Sequence, residues 1–257
     1  MQITVLASGS TGNCSLITEG NTRILVDAGI SCKRIKTGLN DIGVSPDELD
    51  AILITHDHVD HVTGLRVFEK NFSVPLYTTL PVIHALEQSG MTLGSLYHEF
   101  AAGEPFEIGG VGVRPFHVPH DAADCSGFQL TGDSAVLGYA TDIGCITEEV
   151  VQGLTGSDLT LIEANHDVQM LKQGPYPYYL KQRILSSHGH LSNESCAHLA
   201  GILQERGTRR FILGHLSQQN NEPMVARRTV QKSLELEPGD LFVAPVLGNL
   251  TVRAKVI

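Results

Sequence analysis

Four side chains that can bind metal ions follow one short apolar run of this sequence. After Ile52–Ile54 the chain reads His56-Asp-His-Val-Asp-His61. In an extended turn, residues i and i+2 project to one side, so His56 and His58 can share an ion. Asp60 and His61 are expected to begin the next helix and to reach a second ion. Imidazole and carboxylate ligands suit Zn²⁺ best, and Mn²⁺ and Fe²⁺ are alternatives.

An ion needs more ligands than one loop supplies, and further candidates follow other apolar runs. Loops after neighbouring strands gather along one edge of a sheet, where ligand sites form. The candidates at such positions are Asp27, His117, His120, Asp142 and His215. His117 and His120 compete for one place, because both lie in the same short segment.

Apolar runs of strand length precede most of these residues. The predicted strands are Ile3–Ala7, Ser15–Thr18, Arg23–Val26, Ala51–Ile54, Val111–His117, Ala135–Ala140, Leu159–Glu163 and Phe211–Leu213. Helical patterns lie between them, at Lys33–Asp41, Val62–Lys70, Leu80–Ser89, Asn193–Glu205 and Pro223–Ser233. Strands come consecutively in the first half, and alternation of strands with helices grows later. This mixture predicts an α+β fold with two sheets covered by helices.

Length and composition limit the class of protein. The chain has 257 residues and a mass of 27.7 kDa, and we expect a single domain over residues 1–257. Its 42% apolar and 18% charged residues are typical of a globular chain. The opening lacks the basic segment of an export signal, and no apolar stretch approaches the ~18 residues of a membrane span. Five scattered cysteines exclude a disulfide scaffold and a zinc ribbon, and they favour the reducing cytoplasm.

The net charge of −10 is unevenly distributed along the chain. Residues 1–180 contain 8 basic and 22 acidic side chains, and residues 181–257 contain 10 and 6. An acidic protein is a poor default candidate for nucleic-acid binding, although two divalent ions would offset part of the negative charge. The basic residues Arg209, Arg210, Arg227 and Arg228 could contact phosphates, and a solvated basic face is an equal alternative. The sequence leaves the oligomeric state open.

The ordered set of candidate ligands resembles that of the metallo-β-lactamase superfamily over nearly the whole chain. The resemblance implies a four-layer αββα sandwich, with two mixed β-sheets flanked by helices and a dinuclear metal site at one edge. It also implies that His56, His58 and His120 hold the first ion, that Asp60, His61 and His215 hold the second, that Asp142 bridges them, and that Asp27 orients the site.

The same resemblance favours His120 over His117, because His-Asp-Ala follows the turn that Pro119 makes. His117 is then expected to be an inward-facing strand residue. Asp57 is expected to face solvent or to support the ligands from outside.

Two later segments are similar to the tRNA-processing nuclease RNase Z. One contains Glu163, and the other is Gly189-His-Leu-Ser-Asn193 before a helix. In that family a histidine at the place of His190, held by the glutamate, is proposed to protonate the leaving oxygen or to bind phosphate. The whole pattern most resembles the YycJ/WalJ (VicX) branch, which implies a cytoplasmic 5′-to-3′ DNA exonuclease.

The favoured hypothesis is therefore metal-assisted hydrolysis of a phosphodiester in nucleic acid, with DNA preferred, through a hydroxide that bridges two ions. Asp60, His190 and Glu163 are the predicted catalytic residues. The predicted substrate-binding residues are Ser8, Ser10, Asn165, His166, Ser192 and Asn193.

Two alternatives remain open. A hydrolase of small esters, thioesters, lactones or cyclic phosphodiesters would use the same ions and would depend little on Glu163 and His190. A binding module stabilised by metal, without turnover, is disfavoured by the intact set of ligands.

Overall fold

A computed structural model of the chain describes residues 1–91, 96–237 and 239–255. These ranges contain every residue predicted to act in the site. The expectation that residues 1–257 form one domain stays a prediction. In the described residues, no helix combines the length and the apolar composition needed to cross a lipid bilayer.

The first sheet contains seven strands, six of them from the first 99 residues. They are β1 (Gln2–Ala7), β2 (Cys14–Glu19), β3 (Thr22–Val26), β4 (Ala51–Leu53), β5 (Leu76–Thr78), β6 (Tyr97–Glu99) and β14 (Leu250–Arg253). Their spatial order is β14-β1-β2-β3-β4-β5-β6. Pairing is antiparallel from β14 to β3 and parallel from β3 to β6.

The second sheet also contains seven strands, and its pairing has the same mixture. They are β7 (Phe106–Ile108), β8 (Val111–His117), β9 (Ser126–Thr131), β10 (Val136–Ala140), β11 (Leu159–Glu163), β12 (Arg210–Gly214) and β13 (Leu241–Val243). Their spatial order is β13-β12-β11-β10-β9-β8-β7. The strands β10 to β13 are parallel, and β7 to β10 are antiparallel.

The helices lie outside the two sheets. They are α1 (Cys32–Asp41), α2 (Val59–Val62), α3 (Leu65–Asn71), α4 (Leu80–Gln88), α5 (Glu148–Leu154), α6 (Val168–Gln173), α7 (Tyr178–Ile184), α8 (Asn193–Glu205) and α9 (Pro223–Gln231), with a 3₁₀ turn at Pro46–Glu48. Apolar side chains of α1, α3 and α4 pack on the first sheet. Those of α5, α8 and α9 pack on the second sheet.

A third apolar cluster fills the space between the sheets. It takes alternate residues from both, for example Ile3 and Val5 from β1 and Val113 from β8. Alternation arises because successive side chains of a strand point to opposite faces. Helix, sheet, sheet and helix therefore form four layers, and the predicted αββα sandwich is confirmed.

The predicted elements differ from the observed ones mainly at their ends. The predicted helix Val62–Lys70 corresponds to α3, which begins only at Leu65, because α2 ends at Val62 and Gly64 separates the two helices. The amide of Gly64 donates to the Ala28 carbonyl at 2.8 Å, and a Cβ at this position would collide with the Ile30 carbonyl. This close backbone contact breaks the helix.

Candidate metal centre

The candidate ligands follow the carboxyl ends of parallel strands in both sheets. Asp27 follows β3, Asp142 follows β10, and His215 follows β12. All three adopt a left-handed backbone, with φ of 60°, 58° and 54°. Residues with a side chain rarely adopt such angles, and those that do cluster at functional sites. The two sheets thus turn these three side chains toward one edge of the sandwich.

One group of possible ligands contains His56, His58 and His120. Each residue offers one nitrogen atom, and these atoms lie within 4.8 Å of one another. His58 Nδ1 and His120 Nε2 are 3.2 Å apart, close to the spacing of about 3.4 Å between two nitrogen ligands of a tetrahedral ion. The other nitrogen of His120 lies 3.1 Å from the Gly189 carbonyl oxygen, and that of His56 lies 3.0 Å from Thr55 Oγ1. In both rings the Nδ1 atom is therefore held by the protein, and the Nε2 atom is left to face an ion.

A second group contains Asp60, His61 and His215. His61 Nε2 lies 3.7 Å from Asp60 Oδ2 and 3.2 Å from Asp142 Oδ2. His215 Nδ1 lies 3.1 Å from the same Asp142 oxygen. The other oxygen of Asp142 lies 3.7 Å from His120 Nε2, in the first group. The Asp142 carboxylate therefore lies between the two groups, where the resemblance expects a bridging ligand.

Unpaired buried atoms indicate what this arrangement would bind. His56 Nε2, His215 Nδ1 and Asp142 Oδ2 are buried without a well-aligned hydrogen bond in the described chain, although the last two atoms lie 3.1 Å apart. Buried polar atoms are usually paired, because leaving one unpaired costs about 1–3 kcal/mol. Nitrogen and carboxylate atoms converging without partners fit divalent cations, so the residues present fit a dinuclear metal site.

The electrostatics of the centre agree with this fit. Burial lowers the pKa of His56 well below its usual value, so its imidazole is neutral, as a ligand must be. Burial also disfavours charge on His215, but the Asp142 carboxylate outweighs it and raises the pKa of His215 to about 9. A divalent cation would replace that proton as the partner of Asp142.

Asp27 and Thr55 orient His61 from outside the centre. Asp27 Oδ2 lies 2.8 Å from His61 Nδ1. Its other oxygen accepts hydrogen bonds from the Thr55 amide at 2.9 Å and the Thr55 hydroxyl at 3.0 Å. Burial raises the pKa of Asp27, and its contacts with His61 and Thr55 oppose that rise. A carboxylate at Nδ1 directs Nε2 of the ring toward an ion.

Asn13 and Gly29 are supporting residues that the motif did not reveal. Asn13 Nδ2 lies 3.0 Å from His61 Nε2 and 3.4 Å from Asp60 Oδ2. The backbone N–H of Asn13 also donates to the Asp60 carbonyl oxygen at 2.8 Å. A Cβ on Gly29 would collide with that carbonyl. The segments that contain Asn13 and Gly29 therefore pack directly against the helix that carries Asp60 and His61.

Glu163 and His190 form a pair beside the centre. His190 Nδ1 lies 2.7 Å from Glu163 Oε1 and 3.7 Å from Asp142 Oδ1. The second oxygen of Glu163 accepts from the amides of Ile143 at 2.8 Å and Leu191 at 3.0 Å. Burial disfavours a charged His190, but Glu163 outweighs it and raises the pKa of the imidazole. The pair therefore holds a proton at the edge of the centre.

Two predicted substrate contacts, Ser8 and Asn165, hold the backbone of His215. The Ser8 hydroxyl accepts from the His215 amide at 2.8 Å, and Asn165 Nδ2 donates to the His215 carbonyl at 3.0 Å. These bonds fix the left-handed residue from both sides. Asn193 is also engaged within the protein, because its side chain and that of Asn221 donate to each other at 2.9 Å. Their substrate contacts stay predictions.

Predicted substrate contacts also line two cavities, and His190 lines both of them. Ser10 and Asn165 line a cavity of about 150 Å³, which Arg183 also borders. His166 and Ser192 line one of about 370 Å³. The Ser192 hydroxyl caps α8 by accepting from the Ser195 amide.

The structure separates the two rival histidines. His117 is 49% exposed and pairs with Asp124 at 3.2 Å, so the expectation that it faces inward is wrong. Only His120 of the two lies beside His58. Asp57 accepts from the Ala123 amide at 3.0 Å, which anchors the loop after His120.

Comparison with known proteins identifies the family. The β-lactamase superfamily domain matches residues 22–216, a span that contains every candidate ligand. The fold is also that of YhfI from Bacillus subtilis, a metallo-β-lactamase fold protein, with a TM-score of 0.75, 18% identity and coverage of 98% of this chain and 99% of that one. The chain therefore belongs to the metallo-β-lactamase superfamily.

Two relatives place the chain more narrowly. It is 38% identical over 233 residues to the exodeoxyribonuclease WalJ of Streptococcus pneumoniae serotype 2 (strain D39 / NCTC 7466), covering 90% of this chain and 87% of that protein. It is 33% identical over 240 residues to the exodeoxyribonuclease YycJ of Bacillus anthracis, covering 91% and 89%. The resemblance to this branch is thus confirmed at the level of family.

Proposed function

We propose that this chain is a dinuclear-metal phosphodiesterase that degrades DNA from the 5′ end. The observation that carries the proposal is the Glu163–His190 pair beside the candidate centre, in which His190 Nδ1 lies 2.7 Å from Glu163 Oε1 and 3.7 Å from Asp142 Oδ1. A phosphodiester has a poor leaving group, an alkoxide, which gains from a proton donor. The relatives named exodeoxyribonuclease support DNA as the substrate.

The first ion would be held by His56, His58 and His120, and the second by Asp60, His61 and His215. Asp142 would contact both. Zn²⁺ suits these nitrogen-rich groups best, and Mn²⁺ and Fe²⁺ are alternatives. When bound, such ions lower the pKa of water and neutralise charge on the phosphoryl oxygens.

The residues of the chain divide the proton transfers between them. Asp60, part of whose side chain is open to solvent, accepts a hydrogen bond from the attacking water and passes the proton that this water loses to solvent. A bond forms from the water oxygen to phosphorus, and the bond from phosphorus to O3′ of the terminal nucleotide breaks. His190 gives the proton on Nε2, the nitrogen that Glu163 does not contact, to that O3′, and Glu163 stabilises the charged imidazole through Nδ1 before the transfer. The products are a free nucleotide and a strand that keeps a 5′-phosphate.

A cytoplasmic location and a DNA partner follow as parts of the same proposal. All five cysteines are free thiols, as expected in a reducing compartment. The chain is acidic overall, so we expect modest affinity for DNA with a strong dependence on salt.

The decisive test uses end-labelled single- and double-stranded DNA and RNA with the purified protein and added Zn²⁺ or Mn²⁺. His58→Ala protein is the control for contaminating nucleases. Stepwise loss from the 5′ end of DNA, absent in the control, supports the proposal. If metal-loaded protein cleaves no polymer but hydrolyses thioesters or lactones, the function is that of a small-ester hydrolase instead.

A further inference from the structure

A cavity beside His190 is not used by the metal centre. It measures about 370 Å³, within the range of about 300–1,000 Å³ that small-molecule sites occupy. Ile146, Val168 and Leu185 supply apolar surface to its wall, and His166, Ser192 and Ser195 supply polar groups. We call it the His166 cavity. It can take a flat, partly apolar ligand with hydrogen-bonding edges.

His166 is the unusual residue of this wall. It is 1% exposed, and neither ring nitrogen has a hydrogen-bond partner in the described chain. Its backbone is fixed, because its carbonyl accepts from the Asn193 amide at 2.8 Å and the next amide, of Asp167, donates to the Asn220 carbonyl at 2.9 Å. Because buried polar atoms are usually hydrogen-bonded, an unpaired imidazole in the wall of a cavity indicates a ligand that would pair with it.

The charge around His166 selects the class of ligand. Burial lowers the pKa of His166 to about 4, so the ring is neutral and offers one donor and one acceptor. The nearest acids include Glu163, Glu194 and Asp167, which disfavour a phosphate. A nucleobase is uncharged and presents donors and acceptors along one edge, so it fits both the charge and the polarity.

The position of the cavity selects which nucleoside it would hold. His190 lines the cavity and faces the metal centre with Nδ1 near Asp142. In the reaction proposed above, His190 protonates O3′ of the departing nucleotide, so that nucleotide lies on the His190 side of the scissile phosphate. His190 lines two cavities, and the one of about 150 Å³ is smaller than small-molecule sites usually are, so the sugar and base would enter the His166 cavity of about 370 Å³.

We propose that the His166 cavity binds the sugar and base of the 5′-terminal nucleotide, the unit that leaves in each cleavage. His166 hydrogen-bonds the base, and the apolar residues pack against its faces. The inference rests on the proposed nuclease function and adds the subsite that would confine cleavage to the strand end. A single-nucleoside cavity at the leaving group would produce mononucleotides rather than longer fragments.

The test compares single-stranded DNA that has an intact 5′-terminal nucleotide with DNA whose terminal nucleotide lacks the base. Wild-type protein is expected to cleave the base-free end with kcat/KM lower by about tenfold, the worth of one good hydrogen bond plus base packing. His166→Ala is expected to lose the share of this factor that the hydrogen bond supplies, so it should narrow the difference between intact and base-free ends. His166→Gln, which keeps a donor and an acceptor, should recover most of the difference.

His198→Ala is the matched control, because His198 is an exposed histidine on α8 and outside the cavity. Circular dichroism confirms that each variant is folded. A folded His166→Ala protein that keeps the wild-type ratio between intact and base-free ends would overturn the proposal. So would release of longer fragments by wild-type protein.

Binding of deoxyadenosine monophosphate to the metal-loaded protein, measured by calorimetry, separates this inference from the proposed nuclease function. If no polymer is cleaved but the mononucleotide binds wild type and not His166→Ala, the cavity proposal stands and the nuclease proposal falls. If polymers are cleaved and the mononucleotide binds both proteins equally, the cavity proposal falls alone.

Discussion

The two sheets contribute to the centre in different ways. The first sheet delivers Asp60 and three histidines from one loop of six residues after β4, braced by Asp27. The second sheet delivers single residues from the ends of separate strands and loops, and these residues are spread along the chain from His120 to His215. The first half therefore resembles a compact metal-binding loop, and the second half assembles the proposed bridge and the proposed proton donor through its topology.

This difference suggests a division of labour. The loop of the first half is sufficient to gather nitrogen ligands, because its spacing is set by local backbone. The second half supplies Asp142 between the two groups and the Glu163–His190 pair beside them. We expect changes in the second half to divide into those that remove metal and those that spare metal but stop chemistry.

The largest effect is expected at Asp142, the second-half residue that both ligand groups share. Asp142→Ala should lose both ions and all activity, because it contacts His61, His120 and His215. His58→Ala removes a ligand of the first group only and should keep an ion in the second. Elemental analysis after dialysis measures the ions retained. If Asp142→Ala keeps as much metal as His58→Ala, the bridging role is wrong.

The second effect tests whether the proton donor is separate from metal binding. His190→Ala should lower kcat by about 10²–10⁴-fold, the usual contribution of a general acid. Both ions should remain, because the two ligand groups proposed above do not contain His190; loss of an ion would instead assign His190 to the possible group that it forms with Asp142, Glu163 and His215. Single-turnover cleavage and elemental analysis on the same sample check both statements. Unchanged turnover would remove this role from His190.

The same contrast explains what the sequence could predict. The ligands of the first half are adjacent, so residue type and spacing revealed them directly. The candidates of the second half are isolated; their places after predicted strands marked them as candidates, and the resemblance to a family assigned them to the two ions. The contacts of Ser8 and Asn165 with His215 span 207 and 50 residues. No local pattern records such contacts, so these structural roles of Ser8 and Asn165 could not be predicted; their contact with substrate stays a prediction.

Elements were missed for a related reason. β6 and β7 contain three residues each and lie at the sheet edges, where few apolar side chains are required. All three residues of β6 are exposed, so no alternation marks it. By contrast, α8 packs one apolar face on the second sheet, and its predicted bounds, Asn193–Glu205, are confirmed.

A third, smaller effect is expected at Asp27, the residue of the first half that orients His61. Asp27→Asn should weaken metal affinity by about 10–100-fold, the usual cost of losing a group that orients a ligand. The amide keeps the shape but weakens the charge-assisted contact with His61. Competition with a chelator measures the affinity. The second-half brace offers the matched control, because Asn165→Ala removes a neutral hydrogen bond to the His215 carbonyl and should cost less. Equal losses would show that both halves depend on their braces alike.

The smallest effect is a shift in pH dependence at Glu163. This carboxylate raises the pKa of His190, so it keeps the acid form present to higher pH. Activity that needs protonated His190 is full below that pKa and is lost as pH rises through it. Glu163→Gln removes the raising charge, so the alkaline limb of kcat should move to lower pH while metal content stays unchanged. His117→Ala removes an exposed histidine that has its own carboxylate partner and should leave the limb in place. An alkaline limb that Glu163→Gln leaves where it was would mean that the second half supplies no acid, and that its difference from the first is one of topology only.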